Sequence, residues 1–495
     1  MGGPGGPRPP GRGPGRQPRR DVEAGVTILV LQMQRMGDLI LSFPLFLWLA
    51  RAYPGAVVRV VGEPMFFGPL AALGPTVEYV GWADCGRVLG GDYGLVINLS
   101  HRPEAAELAG KVTAARKVGP VLDEGGVLRM HGDWQLYRAS VVRNNRHNRY
   151  HWADLNALDV IPREMIAATR WDEPRQLGPE NGRVGLFLGA SQPEKRPGAA
   201  FWGALARELA RRGLRPALLG GPAERELCRE VKGLCGDAAL EYCGRLGLDG
   251  LAKVLQTFQI LVTPDTGPMH LASWTGCRVL NLSMGPVNPW ETGPYQPGHF
   301  VMRGAVSCRG CWECSRSPMP CRAAFDPVRA AYAVWRIARG EASRLTGAAL
   351  PMLDVLQVGR DDRGLYRLAP QSGRLPLAEE LLGRFWSEMF GHLLGLDDDS
   401  RARAAWMDMA RGTPRLARAF LESLPRLGML LREGLAEGGD GMDDAFLANF
   451  PPFLRPFTGY LHMRLQNGDA GREARKSCLG MLSRLAEIAA GRRVA

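Results

Sequence analysis

Four short stretches of this sequence combine residue types that can handle a phosphorylated substrate. In QRMGD, Asp38 closes one apolar run and opens the next. A carboxylate there is favoured by the free N–H groups and the dipole of a helix start. In PDTGPMH, residues 264–270, Pro and Gly bracket a sharp turn, and the following helix offers unpaired N–H groups between Thr266 and His270. Such a terminus binds anions and suits a diphosphate. Thr266 and His270 can add side-chain donors. GASQPEKRPG, residues 189–198, sets Ser191 and Lys195 in a loop where Lys195 or Arg196 can neutralise a phosphate. In GGPAERE, residues 220–226, Glu224 lies in the first turn of a helix. An acid in that location often accepts hydrogen bonds from a ribose. Each stretch also has an ordinary structural reading: a helix cap, a core histidine, a solvated basic loop.

The elements around these residues follow from the apolar runs. VTILVLQM (26–33) is a continuous β-branched stretch of the kind that forms a buried parallel strand. Asp38 then starts a helix to Arg51, which YPG closes, and AVVRVVG (56–62) and GLVINLS (94–100) are further strands. The rhythm weakens between 120 and 180, then restarts with RVGLFLGA (183–190), LRPALLGG, QILVTP and CRVLNLS as strands between helices. From residue 345 the apolar positions fall at three- and four-residue spacing. The expected architecture is α/β, with two Rossmann-like domains facing across a cleft and a C-terminal all-helical appendage. Ligands in such sheets sit at the carboxyl ends of the strands. The expected boundaries are a disordered basic tail over 1–24, a first Rossmann-like domain over 25–165, a linker over 166–182, a second Rossmann-like domain over 183–344 and the appendage over 345–495.

Composition narrows the class. A chain of 495 residues exceeds one ordinary core. With 45% hydrophobic and 23% charged residues it is globular. The net charge of +12 favours an acidic partner: nucleic acid, an anionic membrane surface or a phosphorylated substrate. The basic stretch RASVVRNNRHNRYH (138–151), with Arg143, Arg146 and Arg149, can hold an anionic acceptor or be a solvated loop. A membrane-spanning helix needs roughly 20 apolar residues. Leu39 to Ala50 supplies 12, too few to span and too far from the start for a signal peptide. The expectation is a cytoplasmic protein with scope for peripheral contact with a membrane. Ten cysteines are few for a disulfide scaffold. Four of them, Cys308, Cys311, Cys314 and Cys321, are spaced C-x2-C-x2-C-x6-C and can ligate zinc or an iron–sulfur cluster. The other six read as small buried hydrophobes. LDDDS (396–400) reads as a helix start and not as a metal motif.

Taken together, DTGPMHLASWTG, MGPVNPWETGPY, ILVLQMQRMGDLILSFPLFLWL and HNRYHWADLNALDV resemble glycosyltransferase family 9, the ADP-heptose:lipopolysaccharide heptosyltransferases, over residues 26–335. The resemblance implies a GT-B fold whose first domain holds the acceptor and whose second holds the nucleotide sugar. It implies an inverting transfer with Asp38 as general base. Ser191 and Lys195 match positions near the phosphates, and Leu246 an apolar position near the base. Glu224, with Glu226 close by as the other register, matches the ribose-contacting acid. Asp265, Thr266, Gly267 and His270 match the sugar- and diphosphate-binding motif. The resemblance also implies an ADP-sugar donor, an anionic glycolipid acceptor such as a lipopolysaccharide core, contact with the inner membrane surface, no nucleic acid and no cofactor required for transfer. Two alternatives stand beside it: another nucleotide-sugar enzyme of this architecture, such as an epimerase, and a non-catalytic scaffold acting through the Cys cluster and the helical region.

Overall fold

Both sheets of the protein grow from one sequence device, an apolar run that must be covered on both faces. The computed structural model describes residues 26–170, 178–437 and 450–491. The expected tail over 1–24, and residues 171–177 of the expected linker, lie outside the described residues.

The first sheet contains β1 (Thr27–Leu31), β2 (Val57–Gly62), β3 (Glu78–Gly81), β4 (Asp92–Asn98), β5 (Thr113–Ala114), β6 (Lys117–Leu122) and β7 (Leu128–His131). Its order is β3-β2-β1-β4-β6-β7, with β5 beside β4. All pairs are parallel except β6–β7. The order reverses between β1 and β4. That switch point is where an open α/β sheet leaves a crevice for a ligand.

The second sheet contains β8 (Arg183–Phe187), β9 (Arg215–Leu219), β10 (Leu240–Glu241), β11 (Ile260–Thr263), β12 (Val279–Ser283) and β13 (Phe300–Gly304) in the order β10-β9-β8-β11-β12-β13. These pairs are parallel, and the switch point lies between β8 and β11. The two sheets therefore repeat one topology, as a GT-B fold requires.

The sheet then continues where helices were expected. β14 (Leu353–Arg360) and β15 (Tyr366–Pro370) form an antiparallel hairpin on the edge of β13. The run LDVLQVGR buries both faces at its start and then alternates, which is strand behaviour. The helical region begins at Ala378. Its helices are Ala378–Leu393, Ser400–Gly412, Pro414–Glu437, Arg455–Asn467 and Arg472–Ala489. Phe385, Trp386, Phe390, Phe420, Phe457 and Tyr460 fill its core. Each such side chain contributes on the order of 1.5–3 kcal/mol by leaving water.

These helices pack back onto the first half. Tyr137 and Phe390 meet as tilted rings with centres 4.6 Å apart. The Tyr150 hydroxyl donates to the Ser387 carbonyl at 2.6 Å. Asn467 exchanges two hydrogen bonds with the Met130 backbone, at 2.6 and 2.9 Å.

The helix Met36–Ala52 is buried on almost every side, including Phe43, Leu45, Phe46 and Trp48. It lies between the first sheet and the second half, where Phe43 meets Trp274 edge-on at 5.2 Å. Its apolar run serves the interior. No helix among the described residues is long and apolar enough to cross a membrane. Cys228 and Cys243, read from the sequence as separate buried thiols, are bonded as a disulfide. They are distant in local sequence pattern but adjacent in space, and pairing of this kind is not deducible from spacing.

Candidate active site

Asp38 is the third residue of the helix that follows β1. Its carboxylate accepts the Arg35 N–H at 3.2 Å, closing the first turn on itself. A buried polar clasp fixes the backbone beneath it. Gln32 Nε2 donates to Ser42 Oγ at 2.7 Å, and Ser42 Oγ donates to the Asp38 carbonyl at 2.9 Å. Burial pushes the Asp38 carboxyl above the usual aspartate range. The Arg35 N–H and the charges of Arg138, His101 and Arg35 oppose that shift without cancelling it. A carboxylate with raised proton affinity is a better general base near neutral pH.

Opposite it stands the helix Gly267–Trp274, which follows β11. Thr266 precedes it with extended backbone and makes no side-chain cap, and its first turn holds no acid. The two helix starts touch. A side-chain carbon added at Gly267 would stand 2.3 Å from Met36 Cε, and one added at Gly37 would stand 3.2 Å from His270 Cδ2. Glycine at both positions is what lets the two halves meet here. Asp38 therefore stands at the contact between the two halves, within electrostatic reach of Asp265.

Asp265 lies close enough to Asp38 for their charges to interact. Burial raises its pKa, while Lys195 and a hydrogen bond from Thr292 lower it. His270 is buried, with its pKa pushed down to about 4, so its ring is neutral at physiological pH. Its Nδ1 has no partner among the described residues. A buried unpaired nitrogen is costly, and a ligand group at the cleft would satisfy it.

Lys195 ends a short turn after β8, half-buried, while Ser191 is exposed in the same loop. Glu224 begins the segment after β9, and its Oε2 accepts the Gly221 N–H at 2.8 Å. Its other oxygen lies over Gly189, where an added carbon would stand 2.6 Å from it. Glu226 is exposed and paired with Arg229. Leu246 is half-buried beside Gly250.

The three arginines of the basic stretch part company. Arg143 is exposed. Arg146 donates to the Ser307 carbonyl at 3.0 Å and so holds the Cys-rich loop. Arg149 is buried, ion-paired with Glu379 at 2.9 Å and stacked over Trp290. Its guanidinium ties the first half to the helical region. Cys308 and Cys321 border one small cavity, and Cys314 is exposed. Among the described residues no group of three or more His, Cys, Asp or Glu is gathered to hold a metal ion.

Residues 85–319 match the family described as glycosyltransferase family 9 (heptosyltransferase). That match takes in a little under half of the chain. Lipopolysaccharide heptosyltransferase 1 of Pseudomonas aeruginosa is 37% identical to it over 123 residues, covering 24% of this chain and 34% of the relative. The Escherichia coli protein of the same name is 26% identical over 190 residues, covering 35% of this chain and 59% of the relative. The chain thus spans about a third to three fifths of the curated relatives it matches. A solved family 9 glycosyl transferase from Veillonella parvula covers 65% of this chain and all of its own length, with a TM-score of 0.50 at 20% identity. That likeness concerns the fold: the family 9 architecture accounts for both sheets.

Several side chains around this cleft escaped the motif reading. Arg138 and His101 both act on Asp38 electrostatically. Arg138 lies over the Trp152 ring at 5.1 Å, and His101 Nδ1 is 3.0 Å from Gln34 Nε2. With Leu99, Val142, Trp152 and Trp312 they wall a cavity of about 410 Å³. His101 follows β4, the other strand of the switch point, and that position is the signal that could have found it.

Proposed function

We propose that this chain is an inverting glycosyltransferase that moves a heptose, or a related sugar, from an ADP-sugar to a lipopolysaccharide-core or similar glycolipid hydroxyl. The observation that carries the reading is the meeting of Asp38 with the Asp265–His270 turn. A base from one half faces an open helix start from the other. The acceptor enters the cavity beside Arg138 and Trp152. Asp38 takes the proton of its hydroxyl as that oxygen bonds to the anomeric carbon. The bond from that carbon to the diphosphate oxygen breaks, and the diphosphate leaves with the electron pair. Lys195 and the N–H groups of the Gly267–Trp274 helix balance the charge that develops there. Ser191 and Thr266 add hydroxyls, Glu224 meets the ribose and Leu246 the adenine.

Every step written here uses side chains and backbone N–H groups of the chain itself. Metal content of the purified protein decides separately whether Cys308, Cys311, Cys314 and Cys321 take up zinc or iron. The reading places the enzyme in the cytoplasm, resting against the inner membrane surface that presents its glycolipid.

A thermal-shift screen against ADP, UDP, GDP, CMP and their sugars tests the donor half. Selective stabilisation by ADP and ADP-heptose is expected. Stabilisation by another nucleotide alone would change the donor, and stabilisation by none would remove the glycosyltransferase reading. Release of ADP only when an acceptor is present separates transfer from epimerisation.

A further inference from the structure

The cavity beside Asp38 has a neighbour. A second chamber of about 450 Å³ lies across Ala139 and Val142, which line both. One wall is the end of the Asp133–Ser140 helix and the turn after it, in the first half. The other wall is the Arg455–Asn467 helix of the C-terminal region. The helices approach closely because Gly459 faces Asn144, whose Nδ2 donates to the Arg455 carbonyl at 2.8 Å.

The chamber is cationic. Arg143 and Arg455 line it and no carboxylate does. Both guanidinium groups are exposed, and neither forms an ion pair among the described residues. The nearby Asp133 is taken by Arg464 at 2.9 Å. Arg143 is held at φ 58°, a left-handed conformation that costs a non-glycine residue roughly 1–2 kcal/mol. Such strain gathers at functional positions. A further group stands ready in the wall. His462 is 5% exposed, and its Nδ1 has no partner among the described residues. Two arginines without ion pairs among the described residues and the His462 side chain line one space large enough for a sugar-sized group.

We propose that this chamber binds an anionic group of the acceptor, a phosphate or a carboxylate, between Arg143 of the first half and Arg455 of the C-terminal helices, with His462 completing the hydrogen bonds. The inference rests on the glycosyltransferase reading for which end of the ligand reacts. It assigns a purpose to a helical region that lies outside the family 9 match. That region supplies half of an acceptor subsite, and the site is incomplete without it. The adjoining chamber beside Asp38 is walled largely by apolar groups, so the charge of the acceptor is read here, away from the reacting hydroxyl.

Ligand-observed NMR titration of the full chain with methyl glucoside, methyl glucoside 6-phosphate and methyl glucuronide tests this, with ADP present in excess to occupy the donor site. At least one charged sugar is expected to bind ten times more tightly than the neutral one. Preference for the phosphate or for the glucuronide identifies which anion the acceptor carries. The Arg143→Ala/Arg455→Ala double variant is expected to lose that preference and to keep its ADP affinity. Arg455→Lys is expected to retain part of it. Both arginines are exposed and outside the core, so the fold is not at stake. Equal binding of all three sugars, or a preference that survives in the double variant, would overturn the subsite. Failure of ADP to bind would remove the donor reading instead. The sugar series repeated without ADP would still decide the chamber.

Discussion

The helices Met36–Ala52 and Gly267–Trp274 each follow a strand at the switch point of its sheet, β1 in the first and β11 in the second. Both present a positive helix end to the same cleft. Their first turns share no residue, and the third position carries the contrast. In the first helix the third residue is Asp38, which accepts an N–H of its own turn. In the second the third residue is Met269, fully buried, and Thr266 leaves the turn uncapped. One helix end thus carries its own anion, while the other is left open to a ligand. The helix field alone would lower the Asp38 pKa, yet the direction is upward because burial outweighs it. One helix start carries a carboxylate and the other carries none; on the proposed reading the first is the base and the second the anion cradle.

The largest effect should come from erasing that carboxylate. Asp38→Asn is expected to lower kcat by about 10²–10⁴-fold, the usual worth of a general base, with ADP affinity intact by calorimetry. A variant that transfers normally would remove Asp38 from the base role. Lys195→Ala strikes the other side. Loss of one positioned donor to the leaving group should cost roughly 10²-fold in kcat and weaken ADP as well. Thr266→Asp would make the second helix end resemble the first. Its carboxylate should compete with the diphosphate and weaken ADP by about tenfold, or roughly 1–2 kcal/mol. Unchanged ADP affinity would mean that the diphosphate sits elsewhere.

The pH profile sharpens the same contrast. Asp38 must be ionised to accept a proton, so kcat/KM should fall as pH drops through its raised pKa, above the ordinary 3.8. Asp38→Asn should abolish that acid limb. His270 stays neutral down to about 4 and should not contribute a limb near neutrality. The smallest effect is expected from Glu224→Gln, which keeps an oxygen for the Gly221 N–H. ADP should weaken by a few fold, about 1 kcal/mol, as one hydrogen bond to the ribose is altered.

Much of this site was legible because its signals are local. An apolar run, a turn and a capping residue lie within a few positions of one another, and Asp38, Lys195, Glu224 and the Asp265–His270 turn all fall at strand ends for that reason. The hairpin over 353–370 was missed because its first strand is buried on both faces and lacks clear alternation. Arg149 looked like a ligand-binding arginine because its partner Glu379 lies 230 residues away. Arg138 acquires meaning only through Asp38 and Trp152, on two other elements.

The sequence by itself determined two α/β sheets, the strands β1, β2, β4, β8, β9, β11 and β12, and the burial of the first helix. Short-range sterics, hydrophobic periodicity and turn chemistry are sufficient for that. Only the tertiary structure decided which strand ends face each other, which arginines are already paired and which chamber the C-terminal helices enclose. Those outcomes depend on contacts between residues hundreds of positions apart, and burial then sets the proton affinities of Asp38, Asp265 and His270.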